Sequence, residues 1–306
     1  MTHHYSRKWS AFVIAAMFAS GAYGASVLGP DDDEELVPTG KGWGERAAPG
    51  HANAHAKPSG NNGISYHGGP VILGTTNVYY IWYGNWSGNS AGTILESLAS
   101  GIGGSAYFNI NTTYSNGSNQ HVSNSVALVR ETNDNYSQGT SLSDAGVQSV
   151  VSGAITSGRL PKDTNAVYFV LTSSDVNETS GFCTQYCGWH THGSIQGSDI
   201  KFAFVGNPDR CPSACEWQTT SPNGNAGADG MASIIAHELE ESVTDPDLNA
   251  WYDTRGQENA DKCAWTFGTE YTTANGSSAN MNLGGRDYLI QRNWVNASGG
   301  YCALSL

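Results

Sequence analysis

From residue 64 onward, apolar residues follow two periods that alternate along the chain. Runs rich in β-branched and aromatic residues predict strands at 71–83, 121–130, 166–171, 200–205 and 286–294. Helical spacing predicts helices at 93–102, 142–155 and 228–244. Because strands that alternate with helices are typical of α/β folds, we expect residues 64–306 to form a single three-layer α/β domain with a mixed sheet.

The first 63 residues do not share this pattern. Arg7 and Lys8 precede an apolar stretch at 9–19, and small residues follow up to Gly24. This order predicts a signal peptide over 1–24, since the apolar stretch is too short to span a membrane. Residues 25–63 begin with an acidic block at 31–35 and continue with Gly, Ala, His and Pro, so we expect a disordered linker or a pro-segment.

The charge balance limits the classes of molecule that this protein can bind. The chain has 27 acidic and 14 basic residues and a formal net charge of −13. Such a surface repels phosphate, so nucleic acid is excluded as a partner. Beyond residue 20, no apolar run approaches the roughly 20 residues that a membrane-spanning helix needs. We therefore expect a secreted, extracellular protein without a membrane partner after signal cleavage, in an oligomeric state that the composition does not indicate.

Six cysteines follow the predicted signal peptide. An exported chain meets an oxidising environment, so we expect the disulfides Cys183–Cys187, Cys211–Cys215 and Cys263–Cys302. A zinc knuckle is the alternative, and secretion disfavours it. Sequons for N-glycosylation are typical of the same export route. They lie at Asn85, Asn111, Asn116, Asn135, Asn177, Asn275 and Asn296.

The helix predicted at 228–244 carries the chemistry, with Asp229 as its expected N-cap. His237 and Glu241 are four residues apart, so one helical turn separates them and both can face one metal ion. Glu238 lies beside His237, where it can hold a water as a general base. Glu240 is expected to point towards solvent.

Acidic residues crowd the end of this helix, where the helix dipole is already negative. They are Glu240, Glu241, Asp245 and Asp247. Negative charges are unfavourable at the negative end of a helix dipole, so several of them together indicate a compensating cation or a functional site. The alternative is a solvated acidic helix end.

The segment from His237 to Glu241 resembles the zincin motif His-Glu-x-x-His, with Glu in place of the second His. Zinc accepts imidazole nitrogen and carboxylate oxygen. In zincins of the gluzincin type, a Glu from a following segment completes the site, which implies Glu258 as the third ligand beside His237 and Glu241. We expect Asp261 or Asp245 to orient a ligand, with Asp245 in reserve as a ligand itself. An oxygen-rich donor set also admits calcium or manganese.

Two histidines, His190 and His192, lie in the sequence Trp-His-Thr-His-Gly. In an extended segment both would point to one side. We expect them to reach the same cleft, as a fourth ligand or as a donor to the transition state. The alternative is a pair of loop histidines without a role in the site.

Further motifs run along the chain in a fixed order. They are Tyr66-His-Gly-Gly-Pro70, Val78-Tyr-Tyr-Ile-Trp-Tyr-Gly-Asn-Trp86, Tyr168-Phe-Val-Leu-Thr-Ser-Ser-Asp-Val176, Cys187-Gly-Trp-His190, Phe204-Val-Gly-Asn207 and Asn249-Ala-Trp-Tyr252. From about Tyr66 to Cys302 the sequence resembles the EXORDIUM family of secreted cell-wall proteins, also called the phosphate-induced protein family. The resemblance implies an extracellular location and a link to growth or nutrient responses, and it supplies no established enzymatic activity.

Two functions fit these observations. The first is a zinc metallopeptidase-like hydrolase that acts on extracellular peptides or proteins, with Glu238 and His190 as catalytic residues. The second is a non-catalytic protein that binds cell-wall glycan or a receptor and keeps a structural metal or an acidic cluster. The candidate sugar-stacking residues for the second function are Trp82, Trp86, Trp189 and Trp217.

Overall fold

The computed structural model describes Met1, residues 36–41 and residues 63–306. The predicted signal peptide, and the predicted linker apart from residues 36–41 and Gly63, lie outside the described residues. The strands are β1 (Ser65–Tyr66), β2 (Thr76–Tyr83), β3 (Val126–Asp134), β4 (Ser141–Leu142), β5 (Ala166–Thr172), β6 (Asn177–Glu178), β7 (Gly188–Ile195), β8 (Ser198–Val205), β9 (Trp251–Tyr252), β10 (Tyr271–Thr272), β11 (Ser278–Ala279), β12 (Met281–Leu283), β13 (Arg286–Tyr288), β14 (Asn293–Val295) and β15 (Tyr301–Ala303). The α-helices are α1 (Ala91–Ile102), α2 (Asp144–Thr156), α3 (Pro212–Cys215) and α4 (Ala226–Thr244). Short 3-10 helices span Phe108–Thr113, Pro208–Arg210 and Asp261–Cys263.

Five strands form the central sheet in the order β3-β2-β5-β8-β7. The pairs β2–β3, β2–β5 and β5–β8 are parallel, and β7 joins antiparallel to β8 as an edge strand. Every residue of β5 is buried, which explains its uninterrupted apolar run. The expectation of an α/β fold with a mixed sheet is therefore confirmed.

The helices that pack on this sheet supply the rest of the core. Helix α1 contacts β3 and α4, and α2 contacts β5 and β8. Helix α4 contacts β5, β7 and β8, and residues 231–244 are all buried. Since α4 is covered on every side, its polar side chains lie inside the protein and must find partners there.

Most predicted elements are present, with shifted ends. Helix α2 begins after Ser143, whose side chain accepts a hydrogen bond from the Gly146 amide. The N-cap of α4 is Asn225, so the prediction of Asp229 was wrong; Asp229 instead accepts hydrogen bonds from Asn223. The single strand predicted at 286–294 was also wrong, because β13 and β14 are separate strands with different partners.

Two of the three predicted disulfides were wrong. The bonds are Cys183–Cys211, Cys187–Cys215 and Cys263–Cys302, so only the last prediction is confirmed. Cys211 and Cys215 lie one turn apart at the two ends of α3, so both sulfur atoms face the segment that carries the other two cysteines. The cysteines therefore bond across the two segments, which excludes the zinc knuckle.

No described helix combines the length and the apolar character that crossing a bilayer requires.

Candidate functional site

One face of α4 presents three of the predicted site residues. Helical geometry places Glu241 between His237 and Glu238 when the helix is viewed along its axis. Oε1 of Glu241 lies 3.0 Å from Nε2 of His237, and both side chains are buried. The other oxygen, Oε2, lies 3.6 Å from Nε2 of His190 on β7. Glu241 therefore sits between two imidazoles that come from different elements.

His190 enters this cluster from the edge strand. Its Nε2 lies 3.1 Å and 3.2 Å from the two carboxylate oxygens of Glu258. Burial, followed by the charges of the nearby His237 and His192, lowers the pKa of His190 to about 3. Among the described residues, Nδ1 of His190 has no hydrogen-bond partner. The geometry therefore assigns a neutral imidazole that donates its single hydrogen from Nε2 to Glu258.

Glu258 lies on the loop that follows β9, and this loop is tied in place from several sides. Oδ1 of Asp253 accepts hydrogen bonds from the amides of Arg255 and Gln257. Oδ2 of Asp253 forms a buried ion pair with Nζ of Lys262 at 2.8 Å. The Cys263–Cys302 disulfide closes the far end of the loop. These contacts fix the backbone that places the Glu258 carboxylate against His190.

The charge state of Glu258 depends on its neighbours. Burial raises the pKa of Glu258 well above its ordinary value, because the charged carboxylate loses its hydration. The nearby carboxylates raise this pKa further. In decreasing order of effect they are Glu241, Asp245, Asp261 and Glu238. A cation in the cluster would offset this repulsion.

Asp261 contacts the same group of side chains. Its amide donates a hydrogen bond to Oε1 of Glu241 at 3.0 Å, and its own Oδ1 lies 3.7 Å from Nε2 of His237. Its Oδ2 accepts a hydrogen bond from the Glu258 amide at 3.4 Å. Asp261 therefore touches all three predicted metal ligands.

Asp245 holds the chain where it leaves α4. Its Oδ1 accepts hydrogen bonds from the amides of Asn249 and Ala250, each at 2.6 Å. Burial raises the pKa of Asp245 to about 6, although these two bonds oppose the rise. Through this turn, Asp245 sets the path of the chain from α4 towards the Glu258 loop.

Glu238 lies at the contact between α4 and β7. It is buried, and a Cβ atom placed on Gly188 would come within 3.0 Å of its Oε1. Gly188 is two residues before His190 on the same strand. The glycine allows the helix to approach the strand closely enough to put Glu238 beside the cluster.

Glu240 does not point towards solvent, so that prediction was wrong. It is fully buried, and its Oε2 lies 2.9 Å from the hydroxyl of Tyr107. The physical reason is the burial of α4 on all sides, which leaves no solvent-facing surface for this residue. Burial raises the pKa of Glu240 well above its ordinary value.

His192 forms a separate group outside this buried cluster. Its Nδ1 lies 2.7 Å from Asp199 and 3.7 Å from Asp247, and its side chain is partly exposed. Nζ of Lys201 lies 2.5 Å from Asp199 and 3.5 Å from Asp247. Because this lysine already supplies a positive charge, the group is a surface ion-pair network. Asp199 and Lys201 were missed by the sequence reasoning, since they lie on the next strand and only the β7–β8 pairing brings them to His192.

The buried donors are close enough to share an ion. One ligand atom from each of His190, Glu241 and Glu258 can be chosen so that all lie within 4.8 Å of one another, and the same holds for His237, Glu241 and Asp261. Glu241 belongs to both groups, so it connects His237 in one group with Glu258 in the other. The two groups together contain His190, His237, Glu241, Glu258 and Asp261. The sequence motif contains two of these five residues, and the other three come from separate segments.

Comparison with known proteins identifies the family. A family model described as the phosphate-induced protein 1 conserved region matches residues 64–298. The chain belongs to this family. It is 34% identical over 278 residues to protein EXORDIUM-like 3 of Arabidopsis thaliana, covering 78% of this chain and 82% of that protein. It is 29% identical over 222 residues to protein PHOSPHATE-INDUCED 1 of Nicotiana tabacum, covering 63% of this chain and 68% of that protein. No solved structure matches.

Proposed function

We propose that this protein is a secreted zinc-dependent hydrolase of peptide bonds. In this proposal His237, Glu241 and Glu258 hold the metal, and Glu238 and His190 act on the substrate. The observation that carries it is the position of Glu241, whose two oxygens face His237 at 3.0 Å and His190 at 3.6 Å inside a buried cluster. The fold would then be a zincin-like three-layer arrangement with α4 as the metal-site helix.

The spacing of the donors suits a small tetrahedral ion. Ligand atoms about 2.1 Å from zinc lie about 3.4 Å from one another in a tetrahedron. Among the three proposed ligands, Nε2 of His237 and Oε1 of Glu241 lie 3.0 Å apart. Two carboxylates and an imidazole are a donor set that zinc accepts. They also neutralise a divalent charge, which weakens the ion as a Lewis acid and makes the expected reaction slow.

Each protein residue has a defined task in the proposed reaction. Zinc, when bound, would polarise the scissile carbonyl and make a water more acidic. Glu238 takes the proton of the attacking water and returns it to the leaving amine. His190 is neutral, so its Nε2–H can turn from Glu258 to the oxygen of the carbonyl under attack. Asp261 and Asp245 hold Glu241 and the ligand loop in place.

Several features support an extracellular setting. Three disulfides are typical of an oxidising compartment. The predicted signal peptide would direct export, and the net charge of −13 disfavours nucleic acid. The substrates we propose are accordingly extracellular peptides or proteins.

The metal is tested first. Protein purified without added zinc is analysed for metals by mass spectrometry, and we expect about one zinc per chain. His237→Ala and Glu241→Ala should each lose the metal, whereas His190→Gln should keep it. His121→Ala, at an exposed histidine bonded to the Thr112 carbonyl, is the control and should also keep it. Wild-type protein without metal, before and after incubation with zinc, would overturn the proposal.

Catalysis is tested separately. Wild type and Glu238→Gln are incubated with a peptide library, and cleavage is followed by mass spectrometry. We expect wild type to cleave and the variant to be slower by a factor of about 10² or more, because a general base is lost. Equal cleavage by both proteins would show that Glu238 is not the base. No cleavage by either would favour the second function.

One observation favours the second function, an extracellular glycan-binding protein. A surface groove of about 340 Å³ lies between α1 and β3, and Trp86 and Glu131 are among the residues that line it. Nε1 of Trp82 donates a hydrogen bond to Glu131 at 2.6 Å. A flat ring beside a carboxylate suits a sugar face and its hydroxyls. Trp82 and Trp189 are buried, so of the four predicted tryptophans only Trp86 and Trp217 are accessible for stacking. Glycan-array binding that Trp86→Ala abolishes would support this function.

A further inference from the structure

Residues 36–41 belong to the segment that the sequence predicts to be a linker or pro-segment, and they lie against the candidate site. The Leu36 amide donates a hydrogen bond to the Thr254 carbonyl at 3.1 Å. A Cβ atom placed on Gly256 would come within 3.1 Å of the Val37 backbone. Gly256 is two residues before Glu258, so this end of the segment packs on the loop that carries a proposed ligand.

The other end of the segment reaches His190. The His190 amide donates a hydrogen bond to the Gly40 carbonyl at 3.1 Å, on the edge of β7 that does not pair with β8. A Cβ atom placed on Gly40 would lie 1.9 Å from the His190 carbonyl oxygen, and Gly40 has a φ of +67°. Both facts require glycine here. The segment therefore runs from the Glu258 loop to the backbone of His190.

Lys41 occupies a specific subsite beyond this point. Its Nζ lies 2.5 Å from Oδ2 of Asp144 and 2.7 Å from Oγ of Ser180. The same ammonium lies 5.4 Å from the ring centre of Tyr186 and 5.3 Å from that of Trp189. A carboxylate, a hydroxyl and two aromatic faces form a pocket for a basic side chain.

We propose that residues 36–41 fill the groove in which the substrate binds, so that the chain inhibits itself until the segment is displaced. This inference rests on the proposed function, because a substrate must approach His190 along the same edge of β7 to be cleaved. An unpaired strand edge binds extended peptides through backbone hydrogen bonds. The substrate class follows from the occupant: an extended peptide with glycine opposite His190 and a lysine or arginine one position later.

The test opens the groove without changing its walls. Gly40→Ala places a methyl group against the His190 carbonyl and should displace the segment. Gly158→Ala is the matched control, because Gly158 has a φ of +72° and no atom of the described residues lies within 4 Å of the added carbon. In hydrogen-exchange mass spectrometry, we expect faster exchange across residues 188–192 in Gly40→Ala only. Unchanged exchange in this variant, and in the second variant Lys41→Glu, would overturn the proposal.

Binding of a probe peptide completes the test and needs no metal. A fluorescent peptide with the sequence of residues 36–41 is titrated into each protein in the presence of EDTA. Because a tethered segment competes at millimolar effective concentration, Gly40→Ala should bind the peptide at least about tenfold more tightly than wild type. A peptide with Glu in place of its Lys should bind more weakly. Equal affinity of wild type and Gly40→Ala would overturn self-inhibition, whereas a lack of zinc would overturn only the proposed hydrolase.

Discussion

The hydroxyl of Tyr107 lies 2.9 Å from Oε2 of Glu240 and 2.9 Å from the carbonyl oxygen of Gln291. A phenol has one hydrogen, so it can donate to only one of these two acceptors. Burial raises the pKa of Glu240, which favours its protonated form. The protonated carboxyl then donates to Tyr107, and Tyr107 donates to Gln291. This chain gives each of the three groups a partner.

The relationship predicts how substitutions at this point change stability. Glu240→Gln should cost no more than about 1 kcal/mol, because an amide can donate to Tyr107 as the protonated carboxyl does. Tyr107→Phe should cost about 1–3 kcal/mol, because it leaves the buried Glu240 carboxyl without its acceptor and the Gln291 carbonyl without its donor. Urea unfolding of the three proteins measures both values. A larger loss for Glu240→Gln than for Tyr107→Phe would show that Glu240 is charged.

A second prediction concerns the contact between β7 and α4. A Cβ atom on Gly188 would meet Cγ2 of Ile234 at 2.5 Å and the Phe204 carbonyl oxygen at 2.9 Å. Gly188→Ala should therefore cost about 1–3 kcal/mol through overpacking. Gly193→Ala on the same strand is the control. Its nearest neighbour would be the end of the flexible Gln148 side chain at 2.9 Å, so its cost should stay below about 1 kcal/mol. Equal losses by thermal unfolding would mean that helix and strand do not approach as described.

A third prediction concerns the two disulfides that cross from the 183–187 segment to the 211–215 segment. Each closes a sequence separation of 28 residues. While one bond remains, the other closes only a short loop, so removing one pair should cost about 2.5 kcal/mol. Removing both should cost about 6 kcal/mol, more than the sum of the single losses. Serine substitution of Cys183 with Cys211, of Cys187 with Cys215, and of all four, followed by urea unfolding, provides the values. Peptide mapping without reduction checks the pairing itself.

The pairing of the four cysteines in the 183–187 and 211–215 segments could not be predicted from the sequence. Both segments have the same Cys-x-x-x-Cys spacing, which suits local bridges as well as crossed ones. Only the placement of α3 beside the 183–187 segment decides between them. By contrast, β5 and α4 were predictable, because a long apolar run and a helical period are local signals.

The local part of the candidate site was predictable from the sequence, and the part that depends on contacts between distant segments was not. The four-residue spacing of His237 and Glu241 puts them on one helical turn from the sequence alone. Their approach to His190 depends on β7, an edge strand whose exposed and buried residues carry no clear apolar alternation. Glu240 was misplaced because the sequence of α4 contains polar residues on all sides, which is normally typical of an exposed helix.

The last prediction concerns the dependence of stability on pH. Burial, followed by the hydrogen bond and the negative charge of Asp209, raises the pKa of Glu216 from 4.5 to about 7. The folded state therefore holds a proton that the unfolded state has already released in this window. The contribution of Glu216 to stability is fully present below about pH 4.5 and is lost as the pH rises through about 7.

Relative to wild type, Glu216→Gln should become progressively more stable over that range, because an amide does not titrate. Glu270→Gln, at an exposed position, is the control and should run parallel to wild type. Urea midpoints measured from about pH 4 to about pH 8 give the comparison. A constant difference between Glu216→Gln and wild type would contradict the raised pKa of Glu216.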